Sequence, residues 1–365
     1  MEEDCEESSS ARAFYSCDFD WQELREEIEG ARSPEVGSVG LSSSTHASSG
    51  PDLTYRRTSP SQTGIDVILE AERSRGADGG KPAFCPSAWE AFHRNHSKAL
   101  FFKERRYLVK EFPELVDNPR AISVLEVGCG TGSSVAPILR ANKNATCYGC
   151  DCSAAALDRA ELLVAGQAGL LESQNKKFRP FLCDISVQSF PSWLCCSSCR
   201  ATSLQSCGPS QDDNGVNSRS TSAEQMQQSS EGSCCVGGVS IVMLIFTLSA
   251  IPLERMRHVL AECAAVLRPG GHLLFRDYGL YDMTMLRFPS AQKLADRLYF
   301  RKDGTLSYFF SLEVVRELLT SVGLVEEELQ YACVQLVNRR KQVPMKRVWV
   351  HAKFTKPETA AVCTR

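Results

Sequence analysis

The chain has 365 residues, 43% hydrophobic and 23% charged, the ordinary composition of a globular domain. Its longest apolar run, Val239–Ile251, falls short of the roughly 20 residues that a membrane helix needs, so no membrane association is expected. The net charge of −3 hides an asymmetry: residues 1–30 hold eleven Asp/Glu against two Arg, a balance of −9, which leaves +6 on the remainder. An acidic head on a basic body is compatible with RNA binding. The acidic start argues against a secretory or Arg-rich transit segment. Seventeen cysteines are an odd number, and Cys147, Cys150 and Cys183 fall inside predicted strands. They are read as reduced thiols of a cytoplasmic protein, with a nuclear location also compatible.

Residues 1–80 are rich in Ser, Gly, Glu and Arg and offer too little apolar surface to offset the entropy of ordering, so this segment is expected to be mostly disordered. A short amphipathic stretch, Phe19–Ile28, suits a transient helix. One folded domain is expected over 81–356, with 357–365 as a tail. Trp89–Phe112 reads as helix. An alternation follows: strand Ile122–Val127, helix Ser134–Ala141, strand Ala145–Cys150 ending at Asp151, helix Ala154–Ala165 and strand Phe178–Cys183 ending at Asp184. Between 193 and 238 the pattern breaks into a Ser- and Cys-rich insertion. It resumes with strand Val239–Phe246, helix Leu253–Leu267 stopped by Arg268-Pro-Gly-Gly, strand His272–Phe275, helix Leu312–Val322, and two strands near Leu324–Val337 and Met345–Phe354. The order implies a doubly wound α/β sheet with a C-terminal antiparallel hairpin.

The strongest local signal is Val124-Leu-Glu-Val-Gly-Cys-Gly-Thr-Gly. Glycines at 128, 130 and 132 differ from the dinucleotide G-x-G-x-x-G pattern and let the backbone turn under a ligand that presents no phosphate. In a doubly wound sheet this turn lies at the C-terminal strand ends, where ligands bind. About twenty residues on, Asp151 can accept from both hydroxyls of a ribose. Asp184, after the next strand, can accept from an adenine amino group, because an ionised carboxylate is acceptor-only. Turn, ribose acid and adenine acid on successive strands point to S-adenosyl-L-methionine. Helix-capping acids beside a tight turn are the competing explanation.

From about Trp89 to Lys356 the chain resembles the methyltransferase-like family that makes 3-methylcytidine in tRNA. The matching stretches are Phe101-Phe-Lys-Glu-Arg-Arg-Tyr-Leu, Leu125-Glu-Val-Gly-Cys-Gly-Thr-Gly, Met243-Leu-Ile-Phe-Thr-Leu-Ser-Ala, Phe275-Arg-Asp-Tyr-Gly-Leu-Tyr-Asp, Leu286-Arg-Phe, Tyr299-Phe-Arg-Lys-Asp-Gly-Thr-Leu-Ser-Tyr-Phe-Phe and Arg347-Val-Trp-Val. The resemblance implies a seven-strand, Rossmann-like class I methyltransferase fold and methylation of cytosine N3 in the anticodon loop. It places cofactor contacts on Trp89, Gly128, Asp151, Asp184, Ile185 and Ile245, to which the turn adds Gly130. His93 stands where the family commonly has Tyr, and Ser240 replaces an acid usual at the start of the fourth strand. Cytosine N3 is unprotonated at neutral pH and needs no base, but the product is cationic, so an anion nearby favours the transition state. Asp277 or Asp282 is the expected anion, with Arg276 and Tyr278 orienting the base. A buried structural ion pair is the other explanation for Arg276 and Asp277.

RNA loops are bound through stacking and phosphate contacts. Lys103, Arg105, Arg106, Arg287, Arg301, Arg339, Arg340 and Lys341 are the basic residues expected to serve tRNA. The aromatics Phe101, Phe102, Phe309 and Phe310 are assigned to the core. The resemblance also implies that a helper such as a seryl-tRNA synthetase presents the substrate to some members. Cys195-Cys-x-x-Cys199, Cys207 and Cys234-Cys235 approach a zinc pattern, but structural sites usually pair two C-x₂₋₄-C elements, so a low-complexity loop without metal is expected. The alternatives to a tRNA enzyme are a methyltransferase for a small molecule or protein, and a catalytically weak scaffold that retains the fold.

Overall fold

The computed structural model describes residues 18–31, 86–96, 103–116, 120–166, 177–200, 235–338 and 342–358. Their centre is β1 (Ile122–Val127), whose six residues are all buried because helices cover both faces of the sheet. Parallel to it run β2 (Ala145–Asp151), β3 (Phe178–Leu182), β4 (Val239–Ile245) and β5 (Leu267–Tyr278). The final strands β9 (Val325–Asn338) and β10 (Val343–Thr355) form the expected hairpin, with β10 antiparallel to both β5 and β9. The sheet order is β3-β2-β1-β4-β5-β10-β9. The strand order reverses between β1 and β4, and the crevice at such a switch point is where doubly wound sheets bind ligands.

The crossover helices are α4 (Val135–Ala141), α5 (Ala154–Ala165), α6 (Met256–Val266) and α8 (Leu312–Thr320). Pro137 is the third residue of α4, within the first turn, where its missing N–H breaks no helical bond. Ser153 caps α5 by accepting from the Ala156 amide. Two apolar clusters fill the layers on either side of the sheet, one around Leu244, Phe275 and Leu318, the other around Leu108, Ile138 and Met243.

Several elements depart from the periodicity reading. The helix expected over Trp89–Phe112 stops early: α2 is Pro86–Asn95, residues 103–107 are irregular, and α3 is the single turn Leu108–Glu111. The Arg268-Pro-Gly-Gly stop holds, but the chain enters a strand at once: α6 ends at Val266 and β5 starts at Leu267, with 268–271 bulging between Leu267, paired to Val239, and His272, paired to Ile241. The small sheet β6 (Lys293–Ala295), β7 (Leu298–Phe300) and β8 (Leu306–Tyr308), and the short helix α7 (Met283–Arg287), are additions whose strands are too short to show a period. The helix read as transient is α1 (Trp21–Gly30), capped by Asp20 and docked on the body. The Trp21 ring stacks on Tyr331 at 4.5 Å and its Nε1 donates to the Leu280 carbonyl, while Leu24 is buried. Among the described residues no helix is long and apolar enough to cross a membrane.

Candidate active site

The C-terminal ends of β1, β2, β3 and β4 open on one cleft of about 260 Å³. After β1 the chain passes through Gly128, Gly130 and Gly132 at φ 68°, 52° and 75°, a backbone that L side chains resist. The three glycines serve different neighbours. A Cβ on Gly128 would stand 2.6 Å from Thr247 Cγ2, and one on Gly132 would stand 3.1 Å from the Ala160 Cβ of α5. One on Gly130 would meet only His93 Cε1, at 3.7 Å, and would project into the cleft. Gly128 and Gly132 therefore answer to packing, whereas Gly130 keeps the cleft open.

Asp151 at the end of β2 is held in place by the backbone: Oδ2 accepts from the Gly130 amide and Oδ1 from the Ser153 amide, each at 2.9 Å. Burial pushes its carboxyl above the usual range, and the facing His93 pulls it back. Burial in turn holds His93 below the ordinary imidazole value, against the pull of Asp151. Asp184, just past β3, accepts from the Ser186 hydroxyl at 2.6 Å and its amide at 3.1 Å. Across from these acids lies α2, which brings Trp89 and His93 to the cleft. Glu90 fastens this helix by accepting from Ser153 Oγ at 2.6 Å and from the Ala155 amide at 3.3 Å, an anion at the N-terminus of α5. The bonds from Ser153 and Arg94 hold Glu90 down to about 2.

Trp89, His93, Gly128, Gly130, Asp151, Asp184, Ile185 and Ile245 all line the cleft. The residues fit S-adenosylmethionine. Two carboxylates sit at successive strand ends where ribose hydroxyls and an adenine amine need acceptors, and the Gly130 turn leaves the space a ligand would use. Ser240 lies at the opposite end of β4 and exchanges bonds with Ser123, at 3.0 Å from its amide to Ser123 Oγ, so that departure from the family pattern falls away from the cleft.

The catalytic expectations are distributed differently. Tyr278 lines the cleft, but Arg276, Asp277 and Asp282 do not. Arg276 is buried, pairs with Glu111 and lies over the Trp349 ring at 4.6 Å. Glu111 also holds His351 Nδ1 at 2.9 Å. Asp277 is fully buried behind the wall, where its oxygens accept from the Ser249 amide at 2.9 Å and the Tyr278 amide at 2.8 Å. Burial pushes Asp277 up to about 6. Asp282 caps α7 through the Thr284 amide and accepts from Arg347 Nε at 2.8 Å and the Val348 amide at 2.9 Å.

Of the basic residues, Arg105 and Arg301 reach the cleft. Arg105 lies 3.3 Å from Glu126, whose carboxyl burial pushes up to about 7. The Arg301 guanidinium lies over the Tyr278 ring at 5.6 Å, with Nε donating to Ser307 Oγ. Lys103, Arg106 and Arg287 are exposed, and Arg106 pairs with Glu104. Arg339, Arg340 and Lys341 lie outside the described residues, as do Phe101 and Phe102. Two wall elements lie in stretches that carry the family resemblance, although no role was expected of them. Phe246 sits at φ 57°, strained for a bulky residue, with its ring 5.2 Å from Tyr278. Asp303 and Ser307 arrive on the β7–β8 hairpin.

Comparison with known proteins adds the family. A family model described as a methyltransferase domain matches residues 100–329. The "tRNA N(3)-methylcytidine methyltransferase Mettl2" of Drosophila melanogaster is 34% identical over 79% of this chain and 75% of its own. The "tRNA N(3)-cytidine methyltransferase METTL6" of Homo sapiens is 31% identical over 74% of this chain and 79% of its own. An "O-methyltransferase 3" of Dictyostelium discoideum is 34% identical over 72% of this chain, but only half of that protein is covered.

Proposed function

The chain belongs to the family of tRNA N(3)-cytidine methyltransferases, and from that premise we propose that it uses S-adenosylmethionine to methylate N3 of a cytidine in the anticodon loop of tRNA. The observation that carries the proposal is one cleft with two kinds of lining. Asp151 and Asp184 line it as hydrogen-bond acceptors, and Phe246 and Tyr278 line it as a pair of aromatic rings 5.2 Å apart.

S-adenosylmethionine supplies a methyl group already activated on a sulfonium, so the protein's task is placement and exclusion of water. Asp151 would hold the ribose hydroxyls and Asp184 the adenine amine, while Trp89, Ile185 and Ile245 give the base an apolar surround. Phe246 and Tyr278 offer π-faces on which an unstacked cytosine rests, and the Arg301 guanidinium lies over the Tyr278 ring at 5.6 Å. The new N3–methyl bond leaves the ring cationic, and Asp303 is a further carboxylate lining the same cleft. Asp277 acts from behind by fixing Ser249 and Tyr278, a positioning role, and Asp282 fixes Arg347. Lys103, Arg106 and Arg287 would meet phosphates outside the cleft, and Arg339, Arg340 and Lys341 are proposed to serve tRNA as well. A seryl-tRNA synthetase as presenting partner, and a cytoplasmic place of action, are proposed on the family resemblance and the thiol-rich composition. Co-purification and localisation of a tagged chain test them.

The deciding experiment is nucleoside mass spectrometry of total tRNA incubated with the protein and S-adenosylmethionine. A gain of 3-methylcytidine that is lost in Asp151→Ala is the expected result. No gain, with cell extract added to provide partners, would move a small-molecule or protein acceptor to first place.

A further inference from the structure

Three thiols from the two ends of the insertion meet outside the cleft. The Sγ atoms of Cys196, Cys199 and Cys235 all lie within 4.8 Å of one another. Cys199 and Cys235, 36 residues apart, approach to 3.6 Å. That distance is far beyond the roughly 2.05 Å of a disulfide. It is close to the separation of about 3.8 Å that two thiolates adopt around one tetrahedral zinc with Zn–S bonds of about 2.3 Å. Cys196 and Cys199 stand in the C-x-x-C spacing common to structural zinc sites.

The surroundings are built rather than loose. The Val236 amide donates to the Trp193 carbonyl at 2.9 Å, tying the two ends together beside the cluster. Arg200 pairs with Glu262 of α6, and Cys195 is buried with its thiol on the Ala265 carbonyl. Trp193 packs on Phe181 at 5.2 Å. The cluster precedes β4 and so lies at the N-terminal end of that strand, opposite the cleft.

We propose that Cys196, Cys199 and Cys235 bind a zinc ion that staples the base of the 193–238 insertion to the sheet, a structural site remote from the methyl-transfer cleft. The C-x-x-C half comes from one end and Cys235 from the other, so a Cys-Cys dipeptide in place of a second short motif is no obstacle. Each thiol gives its proton to solvent on binding, and the divalent ion relieves the repulsion among three thiolates. Three protein donors leave one position of the tetrahedron for a fourth. The metal would join residues 36 positions apart in the chain, adding a cross-link to the bonds that already hold the two ends.

The test uses the full chain, purified under reducing conditions and stripped of metal. Zinc alone is titrated with a chromogenic chelator as competitor, and cobalt(II) is added separately as a spectroscopic probe. One equivalent of zinc per chain, and the intense visible bands and thiolate charge transfer of a tetrahedral cobalt site, are expected. Cys199→Ser and Cys235→Ser should each lower zinc affinity at least tenfold, with Cys235→His recovering most of it. Affinity for S-adenosylhomocysteine should change less than twofold in all of these variants. Absence of zinc and of the cobalt bands in the wild-type chain overturns the proposal without reference to any variant. Full retention of the metal in Cys199→Ser/Cys235→Ser, or a Cys199–Cys235 disulfide in the reduced preparation, overturns it equally.

Discussion

Replacing Gly130 by Ala separates the cleft from the fold. Gly130 is at φ 52°, where an L residue costs about 1–2 kcal/mol. In a domain of this size, about 1 kcal/mol moves Tm by roughly 2–4 °C, so Gly130→Ala should melt about 2–8 °C below wild type. Its new methyl has no protein neighbour closer than His93 Cε1 at 3.7 Å and occupies the cleft instead. Forcing one extra methyl into a fitted site costs about 1–3 kcal/mol, or roughly 5- to 150-fold in Kd. Gly132→Ala is the control. Its φ of 75° carries the same backbone cost, but its methyl presses on Ala160 at 3.1 Å and never enters the cleft. Scanning fluorimetry should therefore show both proteins destabilised, Gly132→Ala the more because its methyl also overpacks against Ala160. Calorimetric titration with S-adenosylhomocysteine should show affinity loss in Gly130→Ala alone. Wild-type affinity in Gly130→Ala, or an equal loss in Gly132→Ala, would refute the assignment of Gly130 to the ligand.

Tyr278→Ala should lower kcat/KM for tRNA about 5- to 150-fold, the value of one base–aromatic stack, while S-adenosylhomocysteine binding stays within threefold; equal losses in both would make Tyr278 a cofactor residue. Arg276→Met leaves the buried Glu111 carboxylate without its guanidinium and should cost about 3–5 kcal/mol in urea unfolding, and an unchanged midpoint would deny that the pair is structural. Burial raises the Asp151 carboxyl, so it takes up its proton at a higher pH than an exposed aspartate and loses its power to accept from ribose hydroxyls. Affinity for S-adenosylhomocysteine should accordingly weaken as pH falls toward the carboxylate range, with Asp151→Asn weak and nearly flat across the same interval; a pH dependence surviving in Asp151→Asn would assign it elsewhere.

The sequence by itself determined the sheet, the turn and the acceptor wall. Strand, glycine turn, helix, strand and acid follow one another within about thirty residues, and each step is local: apolar runs make buried strands, and a strand end delivers Asp151 and Asp184 to one edge. The last two strands were likewise legible as a hairpin. What the tertiary structure decided depends on residues far apart in the chain. Arg276, Asp277 and Tyr278 are consecutive on β5, yet strand alternation turns the first toward Glu111 and His351, and the next is buried behind the cleft wall. Asp282 stands one turn beyond and is consumed by Arg347 of β10, 65 residues later. Phe246 owes its left-handed backbone to the exit from β4, and Asp303 its place to a hairpin of three-residue strands, neither of which leaves a periodic trace. The thiols of Cys199 and Cys235 meet only because the two ends of the insertion lie side by side ahead of β4. Local pattern encodes which backbone a segment adopts. Which side chains then face one another is set by packing across segments, a quantity that no single stretch of sequence contains.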